Sequence, residues 1–188
     1  AFTGKLGEET VIKISKYLST KLNCNINQIY TASTGVIGEQ LDPNLIIKNL
    51  KLMSSSKKLD WLGAANAIKT TDTFPKFIKR KCKIHGVDIE IVGIAKGSGM
   101  IAPNMSTMLG FIITNANLSS NILQKLLLLS NEKSFNSITV DSDTSTSDTV
   151  LLVATRKAKH KIIHKITDSC LNEFKLCLSS LMLDLAKL

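Results

Sequence analysis

GIAKGSGMIAPNMSTMLGFIIT, residues 93–114, sets a loop rich in turn residues (Gly97, Gly99, Pro103) before the hydroxyl pair Ser106-Thr107. An apolar run, Met108 to Ile113, follows at once. Such a run bounded by turn residues reads as a buried strand. A hydroxyl residue at the mouth of that strand suits a self-cleaving nucleophile. The loop can hold the Ser106–Thr107 peptide away from its relaxed geometry while the Thr107 hydroxyl attacks the preceding carbonyl. Cleavage frees an α-amine on Thr107, and an amine titrating at about 7.7–8 can act as base for its own hydroxyl. The same residues also read as an ordinary loop entering a core strand, with Thr107 a β-branched strand residue.

Working outward, Val11, Ile14, Leu18 and Leu22 make an apolar stripe that predicts a helix over 7–22, with Glu8 and Glu9 in its first turn. Residues 28–33 read as a short strand. Pro43 opens a helix to about Met53, and Asp60 caps another over 61–68. Strands over 77–84 and 87–95 flank a His85-Gly86 hairpin turn. A helix over 118–130, strands over 135–140 and 149–154, and a long helix over 158–187 complete the set. The last carries a stripe of Ile163, Ile166, Cys170, Phe174, Cys177, Leu181 and Leu185. Strands interleaved with helices argue an α/β fold of mixed sheets layered with helices, and no internal repeat or linker divides it.

The chain has 188 residues and a formal net charge of +9, with 44% hydrophobic and 21% charged residues. That is the balance of a globular domain, and no apolar run approaches the roughly 18 residues of a transmembrane helix. A basic balance favours acidic partners. Aromatic residues make up only 5% and do not alternate with the lysines, which argues against a single-strand nucleic-acid surface. The lysines read as solvated faces. Cys24, Cys82, Cys170 and Cys177 form no Cys-x-x-Cys pair, which fits a reducing cytoplasm without disulfides. Cys170 and Cys177 are expected to be buried on one helix face.

Other short motifs carry two readings each. Thr34-Gly35, within ASTGVIG (32–38), could aim N–H groups at a developing oxyanion or form a plain turn. Thr70-Thr71-Asp72-Thr73 fits a capping turn after a helix. Lys96 lacks the glycine spacing of a phosphate loop. Asp141 to Ser145 looks briefly like a calcium loop, but Thr146 and Leu152 stand where it needs Gly and an acid, so no metal is expected. A tight turn satisfying its own backbone is the expected role there. His85, His160 and His164 have no triad or metal spacing and are read as surface residues.

The wording of 93–114 closely resembles the signature of the bifunctional ornithine acetyltransferase / glutamate N-acetyltransferase family of arginine biosynthesis. Three further blocks resemble that family in the same order: ASTGVIG (32–38), AANAIKTTDTFPK (64–76) and ITVDSDTSTSDTVLL (138–152). AFTGKLGEE at the start resembles its opening, so the likeness covers essentially the whole chain. Departures are Ser106 for the usual Ala, Lys69 for an apolar residue, Asn115 for Asp, Ser142 for Gly and Ser147 for Asn. Only Ser106 touches the cleavage point.

The resemblance implies an N-terminal-nucleophile-like architecture, like that of the related aminopeptidases. It implies Thr107 as nucleophile, cleavage between Ser106 and Thr107, and an oxyanion hole of Thr34 and Gly35. Thr70, Lys96 and Thr107 would bind substrate. The implied partners are N-acetylornithine and glutamate, with acetyl-CoA a co-substrate of some members and no other cofactor. Residues 1–106 would be the C-terminal part of an α subunit and 107–188 the N-terminal part of a β subunit, two of each forming a heterotetramer without nucleic acid or membrane. The family's further binding residues, a Glu in Gly-Glu-Gly and an Asn and Thr near the end, fall outside this chain. The chain is therefore expected to be one partial catalytic domain, inactive alone. Two other readings stay open: a self-processed hydrolase releasing the acyl group to water, and a basic binding module indifferent to Thr107.

Overall fold

Two strands that alternate in side-chain direction build the centre of the molecule. In the computed structural model, which describes residues 2–53, 60–98, 100–101, 104–105, 108–140 and 145–188, β1 (Lys76–Ile84) and β2 (Val87–Lys96) pair antiparallel from Lys76↔Ala95 to Ile84↔Val87. The turn between them is the expected His85-Gly86, with φ of 50° and 76°. A two-residue type I′ hairpin requires left-handed backbone at both positions.

Two short strands, β3 (Met100–Ile101) and β4 (Asn104–Met105), pair with each other. Next, β5 (Leu109–Thr114) lies antiparallel to β2, and β6 (Thr149–Ala154) lies parallel to β5. The main sheet thus runs β1-β2-β5-β6. A parallel neighbour needs a crossover, and α4 (Ser120–Asn131) lies within it, its start capped by the Ser119 hydroxyl.

One face of the sheet carries the core. Ile84, Ile89, Ile91 and Ile112 are fully buried and cluster with Ile122 and Leu126 of α4 and with Phe174, Leu178, Leu181 and Met182 of α5 (Asn172–Lys187). Gly93 makes the seating of α5 possible. A Cβ there would lie 2.5 Å from Leu185 Cδ1 and 2.7 Å from Leu181 Cδ2. Strand alternation turns Val92, Ile94 and Lys96 to the opposite face. There α3 (Trp61–Ile68), capped as expected by Asp60, packs against β1 and β2 and buries Ala65 outside the α4–α5 cluster.

The N-terminal helices α1 (Gly4–Leu22) and α2 (Pro43–Met53) pack against each other. Thr10 Oγ1 donates to Leu41 O at 3.4 Å and Lys13 Nζ to Asn44 Oδ1 at 2.9 Å. Because α1 begins at Gly4, Glu8 and Glu9 lie past its first turn. Among the described residues no helix is long and apolar enough to cross a membrane.

Three expected elements differ. Residues 28–33 form no strand: a 3₁₀ turn at Ile26–Gln28, closed by reciprocal bonds between Asn25 and Gln28, consumes the start, and irregular chain follows. Residues 135–140 form no strand either. Phe135 is buried and anchors a 3₁₀ turn, while 136–140 stay exposed and join no strand ladder among the described residues.

The long helix over 158–187 begins only at Asn172. Residues 155–168 instead run as irregular chain beside 114–117. Thr155 and Ala158 N–H groups donate to Thr114 and Asn115 carbonyls. His160, expected at the surface, is only 5% exposed. Its Nε2 accepts from Asn117 N–H at 2.8 Å, so the ring proton sits on Nδ1 and donates to Lys161 O. His85 and His164 are exposed as expected.

Cys170 therefore lies in a 3₁₀ turn and Cys177 in α5, both half-buried rather than buried. Cys82 is the buried thiol: burial pushes it up to about 12, with Cys177 and Glu173 adding to the rise. Thiolate is the reactive form, so alkylation of Cys82 at pH 8 should run at least about a hundredfold slower than for an unperturbed thiol. Peptide-resolved labelling of the folded protein checks this. Labelling of Cys82 at the rate of the denatured chain would contradict it.

Candidate functional site

Lys96 ends β2 on the sheet face away from α5 and is 2% exposed. Across the ladder it faces Leu109, the second residue after Thr107. Burial pushes its ammonium below the usual lysine range, and the carboxylates of Asp72 and Asp148 pull it back. Among the described residues, that ammonium makes no ion pair at contact distance. A buried cation in that position has a strong preference for an incoming carboxylate.

The turn after α3 approaches the same point. Asp72 is buried and accepts from Gly97 N–H at 2.9 Å and from Thr70 N–H at 3.4 Å. It pairs with Lys76 Nζ at 3.1 Å, and Lys76 also donates to the Gly97 carbonyl. Burial opposes the Asp72 charge, but Gly97, Lys76 and Thr70 together hold the carboxyl below its usual range. Both backbone polar groups of Gly97 are thereby held by one ion pair. Gly97 has φ 128°, and a Cβ there would meet the Met108 backbone at 3.2 Å, so the position requires glycine. Thr71 Oγ1 and Ser98 Oγ lie 2.9 Å apart, a second tie between the same two segments.

The chain after Thr107 is held from the other side. Asp148 Oδ1 accepts from Met108 N–H at 2.9 Å and its Oδ2 from Ser145 N–H at 3.1 Å. Thr149 N–H donates to Met108 O at 3.1 Å. Within 145–149 the side chains of Ser145 and Asp148 accept from the Ser147 and Ser145 N–H groups, and Asp148 also reaches out to fix residue 108. Ser106 and Thr107, like 141–144 of the Asp/Ser/Thr segment, lie outside the described residues.

The structure thus joins Thr70 and Lys96 through Asp72. Thr34 is half-buried and Gly35 exposed on the irregular segment between α1 and α2. Among the described residues no hydrogen bond or ion pair ties that segment to Thr70 or Lys96; its bonds run to α1, to the start of α2 and within itself. Sequence reading treated Asp72 as a cap and did not single out Lys76 or Asp148. The available signal was an acid and a lysine four apart, Asp72 and Lys76, straddling Phe74-Pro75 at the entry to a lysine-rich strand.

A family model for the ArgJ family matches residues 1–188. The chain belongs to the ArgJ family. It is 44% identical over 187 residues to the arginine biosynthesis bifunctional protein ArgJ of Zymomonas mobilis, covering 100% of this chain and 46% of that protein. The ArgJ of Bartonella quintana is 47% identical over 189 residues, covering 99% and 46%. The chain therefore spans less than half the length of these curated ArgJ relatives. Among solved structures it is similar to the PH0078 protein from Pyrococcus horikoshii OT3, with a TM-score of 0.56 over 96% of this chain and 61% of that one. At 13% identity that likeness concerns the fold alone, and it agrees with the mixed α/β architecture.

Proposed function

We propose that the chain carries part of the catalytic centre of an acetyltransferase of arginine biosynthesis, moving the acetyl group of N-acetylornithine to glutamate. The observation that supports this reading best is the buried Lys96 ammonium. It lacks an ion-pair partner at contact distance among the described residues, adjoins the Thr70 turn and lies opposite the strand that follows Thr107. Both proposed amino-acid substrates bring a carboxylate to it, and the arginine-biosynthesis name of the ArgJ relatives supports the same metabolism.

In the proposed ping-pong sequence, self-cleavage between Ser106 and Thr107 frees the Thr107 amine. That amine takes the Thr107 hydroxyl proton as Oγ attacks the acetyl carbonyl carbon of N-acetylornithine. The Thr34 hydroxyl and Gly35 N–H stabilise the oxyanion. Collapse breaks the bond to the ornithine amine, which leaves with the proton, and the acetyl group stays on Oγ. The glutamate amine then attacks, and Thr107 Oγ regains its proton. Lys96 and Thr70 position both substrates. The same proposal takes in acetyl-CoA as an alternative donor, a cytoplasmic location, and the 1–106 and 107–188 portions as parts of α and β fragments in a two-α, two-β assembly.

The test is the intact mass of the full-length polypeptide before and after incubation with N-acetylornithine. Two fragments split at Ser106–Thr107, with only the Thr107-started fragment gaining an acetyl group, are expected. One uncleaved chain with no adduct would refute the reading.

A further inference from the structure

We infer that Asp72 is a positioning residue of this site, fixing the Thr70 and Gly97 backbones and the charge state of Lys96 as one unit. The inference rests on the acetyl-transfer reading and goes beyond it, because Asp72 touches none of the reacting atoms assigned there. The geometry is specific. One buried carboxylate receives the N–H of Thr70 on the turn after α3 and the N–H of Gly97 immediately after Lys96. It is locked in place by Lys76, which bonds the carbonyl of that same Gly97. A displacement of Asp72 therefore moves two proposed substrate contacts together.

The charged groups around Lys96 can be named from each neighbouring element. Asp72 comes from the turn before β1 and Asp148 from the loop before β6; both favour the ammonium. Lys76, from the start of β1, is neutralised by Asp72. Helix α3 and strand β5 contribute no ionisable side chain. Among the described residues, removing the Asp72 charge leaves Asp148 alone to oppose the burial of Lys96 and also takes the ion-pair partner of Lys76 away. The ammonium of Lys96 then deprotonates at lower pH, and its grip on a carboxylate disappears at lower pH with it.

Asp72→Asn keeps the shape and an acceptor for Gly97 N–H but removes the charge. In the full-length polypeptide, KM for glutamate and for N-acetylornithine should rise about tenfold to a hundredfold, the scale of one charge-assisted contact. The kcat should fall much less, and the alkaline limb of kcat/KM should move to lower pH. The Lys96 Cε resonance of ¹³C-lysine-labelled protein, assigned by its absence in Lys96→Met, should titrate at lower pH than in wild type.

The resonance does not depend on turnover, so it separates the two ideas. A wild type that never acetylates Thr107 sinks the acetyl-transfer reading and the positioning role with it, even if the resonance still responds to Asp72. An acetylating wild type whose Asp72→Asn variant keeps its Lys96 titration, KM and alkaline limb sinks the inference alone. Asp72→Glu serves should Asp72→Asn not fold. It retains the charge but lengthens the arm, so KM should rise several-fold with the alkaline limb unmoved, and an unchanged KM overturns the inference.

Discussion

Thr107→Ala in the full-length polypeptide is expected to give one uncleaved chain and to lower acetyl transfer by at least about 10⁴-fold, the scale seen when a covalent nucleophile is removed. The magnitude follows from the double role of this residue in the proposal. Its hydroxyl is the attacking group in self-cleavage and in acetyl transfer, and its α-amine exists as a base only after cleavage. Alanine removes the first directly and prevents the second. The neighbouring architecture should survive the change. Met108 is held through its own backbone by Asp148 and Thr149, and those bonds do not involve the Thr107 side chain. Thr107→Ser retains an oxygen nucleophile, so it should cleave and transfer, more slowly because the methyl group that restricts χ1 is gone. Intact mass and a coupled assay of ornithine release measure both variants. Cleavage of Thr107→Ala at the native position, or transfer within tenfold of wild type, would remove Thr107 from the chemistry and favour a binding module.

Part of this molecule was legible in its sequence because local pattern and burial agree there. The alternating run 77–95 forms the expected hairpin, and its His85-Gly86 turn has the backbone such a turn demands. Asp60 caps the helix it precedes, as its position predicts. At 28–33 local bonds between Asn25 and Gln28 decide, but in the other two failures a local pattern was overridden by a single distant partner. Phe135 belongs to a β-rich stretch but is buried as one anchor, close to Gly110, without any ladder. The apolar spacing from Ile163 to Leu185 continues through Cys170, yet Asn117 holds His160 and keeps 155–168 out of the helix. Four lysines surround His160 in sequence and suggested a surface position; nothing in that composition announces Asn117. In the site, Lys96 and Thr70 were found through the wording of their blocks. Asp72 looked like any residue after a helix, because its partner Gly97 lies 25 positions away. Long-range hydrogen bonds leave no periodic trace.

Phe174→Ala is expected to destabilise the fold by about 3–5 kcal/mol, the usual cost of emptying a fully buried phenylalanine site. Against a typical stability of about 5–15 kcal/mol that is a large share. Phe174 lies in the first turn of α5 and is wholly inaccessible, in the same cluster as Ile84, Ile89 and Ile91 of the hairpin. The helix it anchors lays Leu181 and Leu185 over Gly93, on the opposite face of the strand that ends in Lys96. The cavity should therefore loosen the support behind the site without altering any proposed reacting group. Denaturant unfolding of the full-length polypeptide should show a lowered midpoint with little change in slope. Leu176→Ala, on the 74% exposed side of the same helix, should stay within about 0.5 kcal/mol. At temperatures where the Phe174 variant remains folded, acetylation of Thr107 should persist, in contrast to Thr107→Ala, which should fold normally and fail chemically. Equal midpoints for the Phe174 and Leu176 variants would mean that α5 does not seat on this sheet, and the buried environment assigned to Lys96 across β2 would have to be rebuilt.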